Sequence, residues 1–426
     1  MRFKRQRGTQ DVLPEQAVHW QAVERSMRHT LEAYAYGEIR TPLFEDTQLF
    51  VRGVGSDTDI VQKEMYTFKD RKGRSLSLRP EGTAAVVRAY LENHMGREAG
   101  VRRLYYFGPM YRYDRPQAGR FREFFQVGAE ALGSAEPEQD VEIIELMMQV
   151  LGELGLEGLQ VEVNSVGHPQ CRRGYEDVLR AALRQAGDSL CDTCGSRIQD
   201  NPLRVFDCKN AACRAVAAHL PVLRDHLCSD CEAHHETVMK ALQALGIEHR
   251  ENPHIVRGLD YYTRTAFEVH DPALGAQSAL GGGGRYDGLV EACGGPPTPA
   301  VGFSGGIERV LLALERSRAW STTASGAAPV LVLPLGAATR VAALQLAREL
   351  RAHAPTSVDL SGRSLKAQLR GADRSGARVA VILGDDELAR GDALVRDLRA
   401  GEQRSVERAG AAAAVAALLR APKGEA

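Results

Sequence analysis

Phe107-Gly-Pro-Met-Tyr-Arg112-Tyr-Asp114 and, past a polar loop, Gly119-Arg-Phe-Arg-Glu-Phe124-Phe-Gln126-Val-Gly-Ala-Glu130 form the stretch on which the reading of this chain turns. Arg103 to Met110 and Phe121 to Ala129 read as two strands, joined through Arg115, Pro116, Gln117 and Gly119. Such a hairpin can hold a guanidinium against a phosphate, because the planar fork meets phosphate oxygens bidentately. A Phe on the second strand can stack on a purine. Gln126 and Glu130 are an even number of residues apart, so a regular strand points both to one face. Taken alone, the segment reads equally well as a hairpin with solvated arginines.

Working outward, Trp20, Val23, Met27, Leu31 and Tyr34 recur at steps of three and four and predict a helix, with Pro14 in its first turn. A strand-like stretch passes through Ile39 and Pro42. Tyr66 to Phe68 and Leu76 to Leu78 flank an Asp70–Gly73 turn and predict a hairpin. Val141 to Leu154 is helical by period, and Leu159 to Val163 and Ala266 to Val269 read as strands.

Four more segments have chemical content. In Leu78-Arg79-Pro80-Glu81-Gly82-Thr83, Glu81 can bind an ammonium and Thr83 can add a hydroxyl; a plain helix start, with Glu81 complementing the dipole, explains the segment better on its own. Val256-Arg257-Gly258-Leu259-Asp260-Tyr261-Tyr262 sets an Arg-Gly step beside two tyrosines, which suggests a polar pocket; a plain amphipathic loop and strand explains the segment somewhat less well. Leu280-Gly-Gly-Gly-Gly-Arg285-Tyr286-Asp287 excludes side chains, so something flat or charged can lie on its backbone; a flexible loop or tight bend is the alternative. It has neither the Walker pattern nor the dinucleotide spacing. In Gly302-Phe-Ser-Gly305-Gly306-Ile-Glu308-Arg309, glycines run into a helix with Arg309 in its first turn, a combination that favours phosphate, although a glycine-packed helix start has the same pattern.

The 426 residues suggest two or three domains, and 44% hydrophobic with 26% charged residues is ordinary soluble composition. A net charge of −1 restricts any nucleic-acid contact to a local patch. The basic N-terminus lacks an apolar core, and Ala409 to Leu419 is too short to span a bilayer, so the expected location is the cytoplasm, with no membrane partner. Six of the eight cysteines fall between 191 and 231, within a segment from about 168 to 235 that reads as a helical insertion. Such clustering points to thiols or metal rather than disulfides. Cys191-x-x-Cys194 and Cys228-x-x-Cys231 have the pair spacing of a Cys₄ structural zinc site, with Cys208 and Cys213 able to replace one pair. Ser317 to Ala328 reads as a linker. Beyond it, strands alternating with helices predict a small α/β domain over 329–421 with a mainly parallel sheet. Residues 329–420 hold 14 Lys+Arg against 10 Asp+Glu, a modest basic lean compatible with RNA contact.

In order and content these pieces resemble the histidyl-tRNA synthetases, within the class II aminoacyl-tRNA synthetases. Tyr36 to Glu45 is similar to motif 1, the Arg112 hairpin to motif 2, and Gly305 to Arg309 to motif 3. Arg257-Gly-Leu-Asp-Tyr-Tyr262 and Gly281-Gly-Gly-Gly-Arg-Tyr-Asp287 resemble the two family-specific histidine motifs. Gly362-Arg-Ser-Leu-Lys366 and Val381-Ile-Leu-Gly-Asp-Asp-Glu387 resemble parts of the anticodon-binding domain. The resemblance covers nearly the whole chain. It implies an α+β catalytic core over 1–320, an antiparallel sheet flanked by helices, and a homodimer formed through motif 1.

The resemblance also implies site residues. Glu81 and Thr83 would bind the amino end of histidine, and Gln126, Glu130 and Tyr262 would line the imidazole pocket, with Tyr261 and Tyr286 as further pocket residues. Arg257 would act as electrostatic catalyst between the α-phosphate and the carboxylate. Arg112 would lie on the α-phosphate and against histidine, Arg309 on the triphosphate, Phe124 on the adenine, and Arg120 near ATP. ATP and Mg²⁺, L-histidine and tRNA(His) are the implied ligands and partners. Asp114 stands where the class usually has Glu, and Phe125 where some members have His. The main rival is the regulatory paralogue of a phosphoribosyl transferase, which lacks the C-terminal domain and has altered histidine motifs. Both features are intact here.

Overall fold

The computed structural model describes residues 3–317, except 57, 118, 200, 201, 207, 209, 256 and 257, together with residues 330–420. The expected linker therefore lies outside the described residues, apart from Ser317. The chain folds as two units, Met1–Ser321 and Thr322–Ala426.

Strands β1 (Gly37–Glu38), β2 (Phe44–Asp46), β3 (Thr67–Lys69), β4 (Ser75–Leu78), β5 (Arg102–Tyr111), β6 (Glu123–Leu132), β7 (Gln160–Ser165), β8 (His249–Glu251), β9 (Thr263–His270), β10 (Ala279–Arg285) and β11 (Ala300–Gly306) make the two sheets of the first unit. The larger sheet has eight strands in the order β1-β5-β6-β11-β10-β9-β7-β8. Its interior pairings are antiparallel. Both edges are parallel, β1 with β5 and β7 with β8, so the sheet is mixed rather than antiparallel throughout. The reason lies in the connections. A parallel neighbour needs a crossover; helix Thr83–Glu92 lies between β1 and β5, and the cysteine-rich insertion lies between β7 and β8.

The predicted first helix is Pro14–Ala33, with proline in its first turn and Val23, Met27 and Leu31 buried. That face packs on the sheet with Val141, Ile144 and Val150 of helix Pro137–Gly152. Truncating a side chain such as Met27 to Ala would remove about 2–5 kcal/mol. The Asp70 turn forms as expected: its carboxylate accepts the amides of Lys72 and Arg74, and Gly73 has φ +79°. The expected strand through Ile39 and Pro42 shrinks to β1, extended only by the Ile39 amide on the Tyr105 carbonyl.

The insertion leaves β7 through helix Pro169–Ala186 and returns by helix Ser229–Ala244, whose Val238 and Leu242 join the main core. Its own core combines Tyr175, Leu179, Cys194, Cys213 and Cys231 with Tyr262 and Ala266 of the catalytic sheet region.

The four-glycine segment is neither loop nor bend. It is β10, an interior strand. The glycine character extends to neighbouring strands for a steric reason. A Cβ on Gly302 of β11 would fall 1.8 Å from a Glu130 carboxylate oxygen.

The second unit has β12 (Val330–Pro334), β13 (Thr356–Val358), β14 (Val379–Leu383), β15 (Asp392–Asp397) and β16 (Gln403–Glu407), in the order β13-β12-β14-β15-β16. The first three are parallel, but β14-β15 and β15-β16 are antiparallel. The sheet is therefore mixed, not mainly parallel. Only the six-residue helix Asp385–Arg390 separates β14 from β15, which is too short for a parallel crossover. Among the described residues no helix is long and apolar enough to cross a membrane.

Candidate active site

A cleft of about 1140 Å³ opens on the large sheet, lined by Glu81, Thr83, Arg112, Arg120, Phe124, Gln126, Tyr261 and Arg309, with Gly281 and Gly282 of β10 also in its wall. Eight residues singled out in the sequence thus meet in one place from four separate segments, with the glycine run as a fifth.

Helix Thr83–Glu92 begins at the cleft. Glu81 caps it, accepting the amides of Thr83 (2.6 Å) and Ala84 (2.9 Å). The helix-start reading and a place in the site both hold for this buried carboxylate. Burial pushes its pKa up, against the lowering effect of the two amides. The Thr83 hydroxyl donates to Glu130 Oε1 at 2.7 Å, and the Tyr286 hydroxyl to Glu130 Oε2 at 2.5 Å. Burial, helped by neighbouring Glu81, pushes the Glu130 carboxyl up to about 8; the Tyr286 and Thr83 hydroxyls oppose that rise. Gln126 sits four residues back on the same face of β6, buried, and its Oε1 has no hydrogen-bond partner among the described residues. A buried amide oxygen without a partner is a costly state that a ligand donor would relieve.

The arginines form a second group. Arg112 donates to the Pro80 carbonyl at 2.8 Å and lies 5.3 Å from the Phe124 ring centre. Arg120 pairs with Asp114 at 2.6 Å, so the acidic residue that departs from the class pattern anchors a cleft arginine. Arg309 donates to the Ala279 carbonyl. Burial lowers the pKa of Arg112 and Arg309, whose positive charge is partly desolvated. One cleft thus holds buried carboxylates and an amide for a cationic or N–H-bearing ligand, and arginines beside glycine backbone for an anionic one.

Glu130 and Tyr286 do not line the cleft themselves but lie behind Thr83, and two further expected residues stand apart. Tyr262 packs against Tyr261 (ring centres 4.7 Å apart) but lines a neighbouring cavity with Asn164 and Arg172. Arg257 lies outside the described residues. The two Cys-x-x-Cys pairs are not brought together as one group, but the alternative with Cys208 and Cys213 in place of the second pair is. Cys191 and Cys194 gather with Cys208 and Cys213, whereas Cys228 and Cys231 gather with His168 and Cys171. Each Cys-x-x-Cys opens its own helix, Asp192–Arg197 or Ser229–Ala244, and meets partners from a different element.

The sequence reading missed Tyr106, Arg285 and Asp140. Tyr106 reaches Glu130 Oε1 at 3.4 Å, and Gly82 and Gly128 flank its ring, where a Cβ on either would come within 2.3 Å of it. Arg285, wholly buried, binds Asp140 through Nη2 (2.5 Å) and Nε (3.2 Å) and the Ser134 carbonyl through Nη1 (2.8 Å). Asp140 also accepts from Thr265 at 2.5 Å and contacts His234 Nε2 at 2.7 Å. Arg285 adjoins Tyr286 and so braces the strand end that holds Glu130. The Arg285-Tyr286-Asp287 sequence was a usable signal, since a charged residue after four buried-strand glycines needs a partner.

Comparison with known proteins gives one answer along the chain. Residues 8–310 match the family model "Histidyl-tRNA synthetase" and residues 329–418 match "Anticodon binding domain". The chain is similar to the histidine–tRNA ligase of Pelotomaculum thermopropionicum, 50% identical over 404 residues and 95% of each chain. It is 50% identical to that of Moorella thermoacetica over 407 residues, 95% of this chain and 96% of the relative. Among solved structures, apo histidyl-tRNA synthetase from S. aureus superposes with a TM-score of 0.79 at 35% identity, covering 97% of this chain and 99% of that one. The eight-stranded sheet with its glycine- and arginine-lined cleft is the core of a class II aminoacyl-tRNA synthetase. The chain belongs to the histidyl-tRNA synthetase family. Its activity is that of a histidine–tRNA ligase, which activates histidine with ATP and transfers it to the 3′ end of its tRNA.

Proposed function

We propose that histidine binds at the carboxylate end of the cleft, with Glu81 and Thr83 at its ammonium, Gln126 and Glu130 at its imidazole, Tyr261 and Tyr286 closing the pocket, and Tyr262 acting from behind through its packing on Tyr261. The observation that carries this reading is the buried Oε1 of Gln126, without a partner among the described residues, beside the Glu130–Tyr286–Thr83 cluster. A pocket that hydrogen-bonds a ring N–H rejects analogues lacking one, because its buried groups are then left unpaired.

ATP takes the arginine-lined part, with Phe124 against adenine, Arg112 at the α-phosphate, and Arg309 and Arg120 along the triphosphate. The histidine carboxylate oxygen attacks the α-phosphorus, a P–O bond forms, and pyrophosphate leaves. No protein nucleophile is needed; positioning and neutralisation of phosphate charge lower the barrier. Mg²⁺ needs few protein ligands when it is held by phosphates, and Glu268 in the cleft wall can supply a carboxylate. When bound, it would neutralise the outer phosphates. Arg257, by its resemblance to the family motif, joins Arg112 at the α-phosphate and the histidine carboxylate.

The second unit, matched as an anticodon-binding domain, reads tRNA(His). The chain acts as a cytoplasmic homodimer. Support for the dimer comes from the exposed apolar side chains of Leu43 and Phe44, within the motif 1 segment, and of Phe68, which packs on Phe44 in the small sheet. Arg257→Ala tests the catalytic assignment: adenylate formation collapses while histidine binding survives in part. A variant that activates histidine at near-normal rate sinks it.

A further inference from the structure

The insertion contains two separate sets of four metal-ligating side chains, each with its donor atoms within 4.8 Å of one another. All eight cysteines of the chain are free thiols. In the first set, Cys191 Sγ and Cys208 Sγ lie 3.9 Å apart. That is far beyond an S–S bond of about 2.05 Å. It matches the edge of a thiolate tetrahedron, which is about 3.8 Å for Zn–S bonds of about 2.3 Å. In the second set, Cys228 Sγ and His168 Nε2 lie 3.6 Å apart. The corresponding tetrahedral edge for one thiolate and one imidazole is also about 3.6 Å. Backbone amides already point at the sulfurs: the Cys191 amide donates to Cys213 Sγ at 3.2 Å, and the Cys228 amide to Cys171 Sγ at 3.3 Å. Such bonds hold the sulfurs in place for a metal. Within each set, two ligands are buried and two half-buried.

We propose that the insertion holds two structural zinc ions, one bound by Cys191, Cys194, Cys208 and Cys213, the other by His168, Cys171, Cys228 and Cys231. Four protein ligands close each site, so neither zinc takes part in the reaction. In the second centre, ligation through Nε2 leaves the ring proton on Nδ1. The contact of the Cys171 amide with Nδ1, 3.2 Å here, is then given up. The first centre has a clear mechanical role. Arg204 lies between its ligands Cys194 and Cys208, and its Nη2 donates to the Gly258 carbonyl (3.3 Å) and Asp260 (3.4 Å). Gly258 lines the cleft. The cross-link thus fixes the element that steadies the loop carrying the Arg-Gly motif.

The test is metal content of the full-length protein, purified without chelator, measured by plasma mass spectrometry. Two zinc per chain are expected. Cys208→Ala and Cys231→Ala should each lose one, and Cys293→Ser, which lies outside both sets, should keep two. Because an alanine variant can fail to fold, cobalt replaces zinc in the unsubstituted protein as a second readout. Tetrahedral d–d bands and sulfur-to-cobalt charge transfer are expected at two equivalents. Protein free of zinc that also shows no tetrahedral cobalt spectrum overturns the proposal. A single zinc, lost in one variant and unaffected in the other, overturns the centre that proves indifferent.

Discussion

Arg285→Met removes a wholly buried guanidinium and leaves Asp140, equally buried, with an uncompensated charge. The hydrogen-bond geometry sets the magnitude. Arg285 makes two bonds to Asp140 and others to the Ser134 and Glu136 carbonyls and to Asp287. Removing one partner of a buried ion pair destabilises by about 3–5 kcal/mol. Thr265 and His234 still contact Asp140 and keep the loss within that range. For a protein with a total stability of about 5–15 kcal/mol, this is a large fraction. The assay is urea unfolding of the full chain, followed by circular dichroism and by loss of histidine-dependent activity. The histidine KM should rise as well, because Tyr286, the next residue, orients Glu130. Adding Asp140→Leu should recover part of the stability, since it removes the stranded carboxylate. An Arg285→Met protein within about 0.5 kcal/mol of the parent, the range of ordinary surface substitutions, refutes the reasoning.

Gln126→Leu should raise the histidine KM about 10- to 100-fold, the equivalent of one buried hydrogen bond, and leave the ATP KM unchanged in steady-state kinetics. Glu130 gives a pH signature: its pKa rises from 4.5 unfolded to about 8 folded, so the folded state binds more protons and stability falls as pH climbs between those values. In Glu130→Gln that fall should flatten in thermal melts from pH 5 to pH 8; an unchanged slope would show that Glu130 is ionised in the folded protein. Arg112→Ala should lower kcat/KM for activation by about 10²–10³ while the fold holds, as read by single-turnover adenylate formation. Phe44→Glu combined with Phe68→Glu should shift the mass from dimer to monomer in sedimentation, and a dimer that persists would place the interface elsewhere.

What was legible in the sequence was local. The alternation of β6 places Gln126 and Glu130 on one face, and Pro14 with a 3.6-residue period marks the first helix. Legibility ended where a residue's state depends on a distant neighbour. The glycine run reads as a loop or bend until Gly283 is seen against β11, where a Cβ would fall 2.0 Å from the Gly302 carbonyl oxygen. Arg285 meets Asp140 across 145 residues, and no spacing rule links them. The two Cys-x-x-Cys pairs match each other by spacing, yet each is completed by residues 17 to 60 positions away. Strand direction failed for a similar reason. Alternation of strands and helices predicts parallel pairing, but the short helix Asp385–Arg390 cannot span a crossover, and the long crossovers at the edges of the first sheet make those pairs parallel.

The most direct test of the central claim is ATP–pyrophosphate exchange by the purified full-length protein, measured with each of the twenty amino acids in turn. Exchange with histidine alone is expected. Exchange with another amino acid at comparable kcat/KM, or none at all from folded protein, contradicts the histidine pocket built around Gln126 and Glu130.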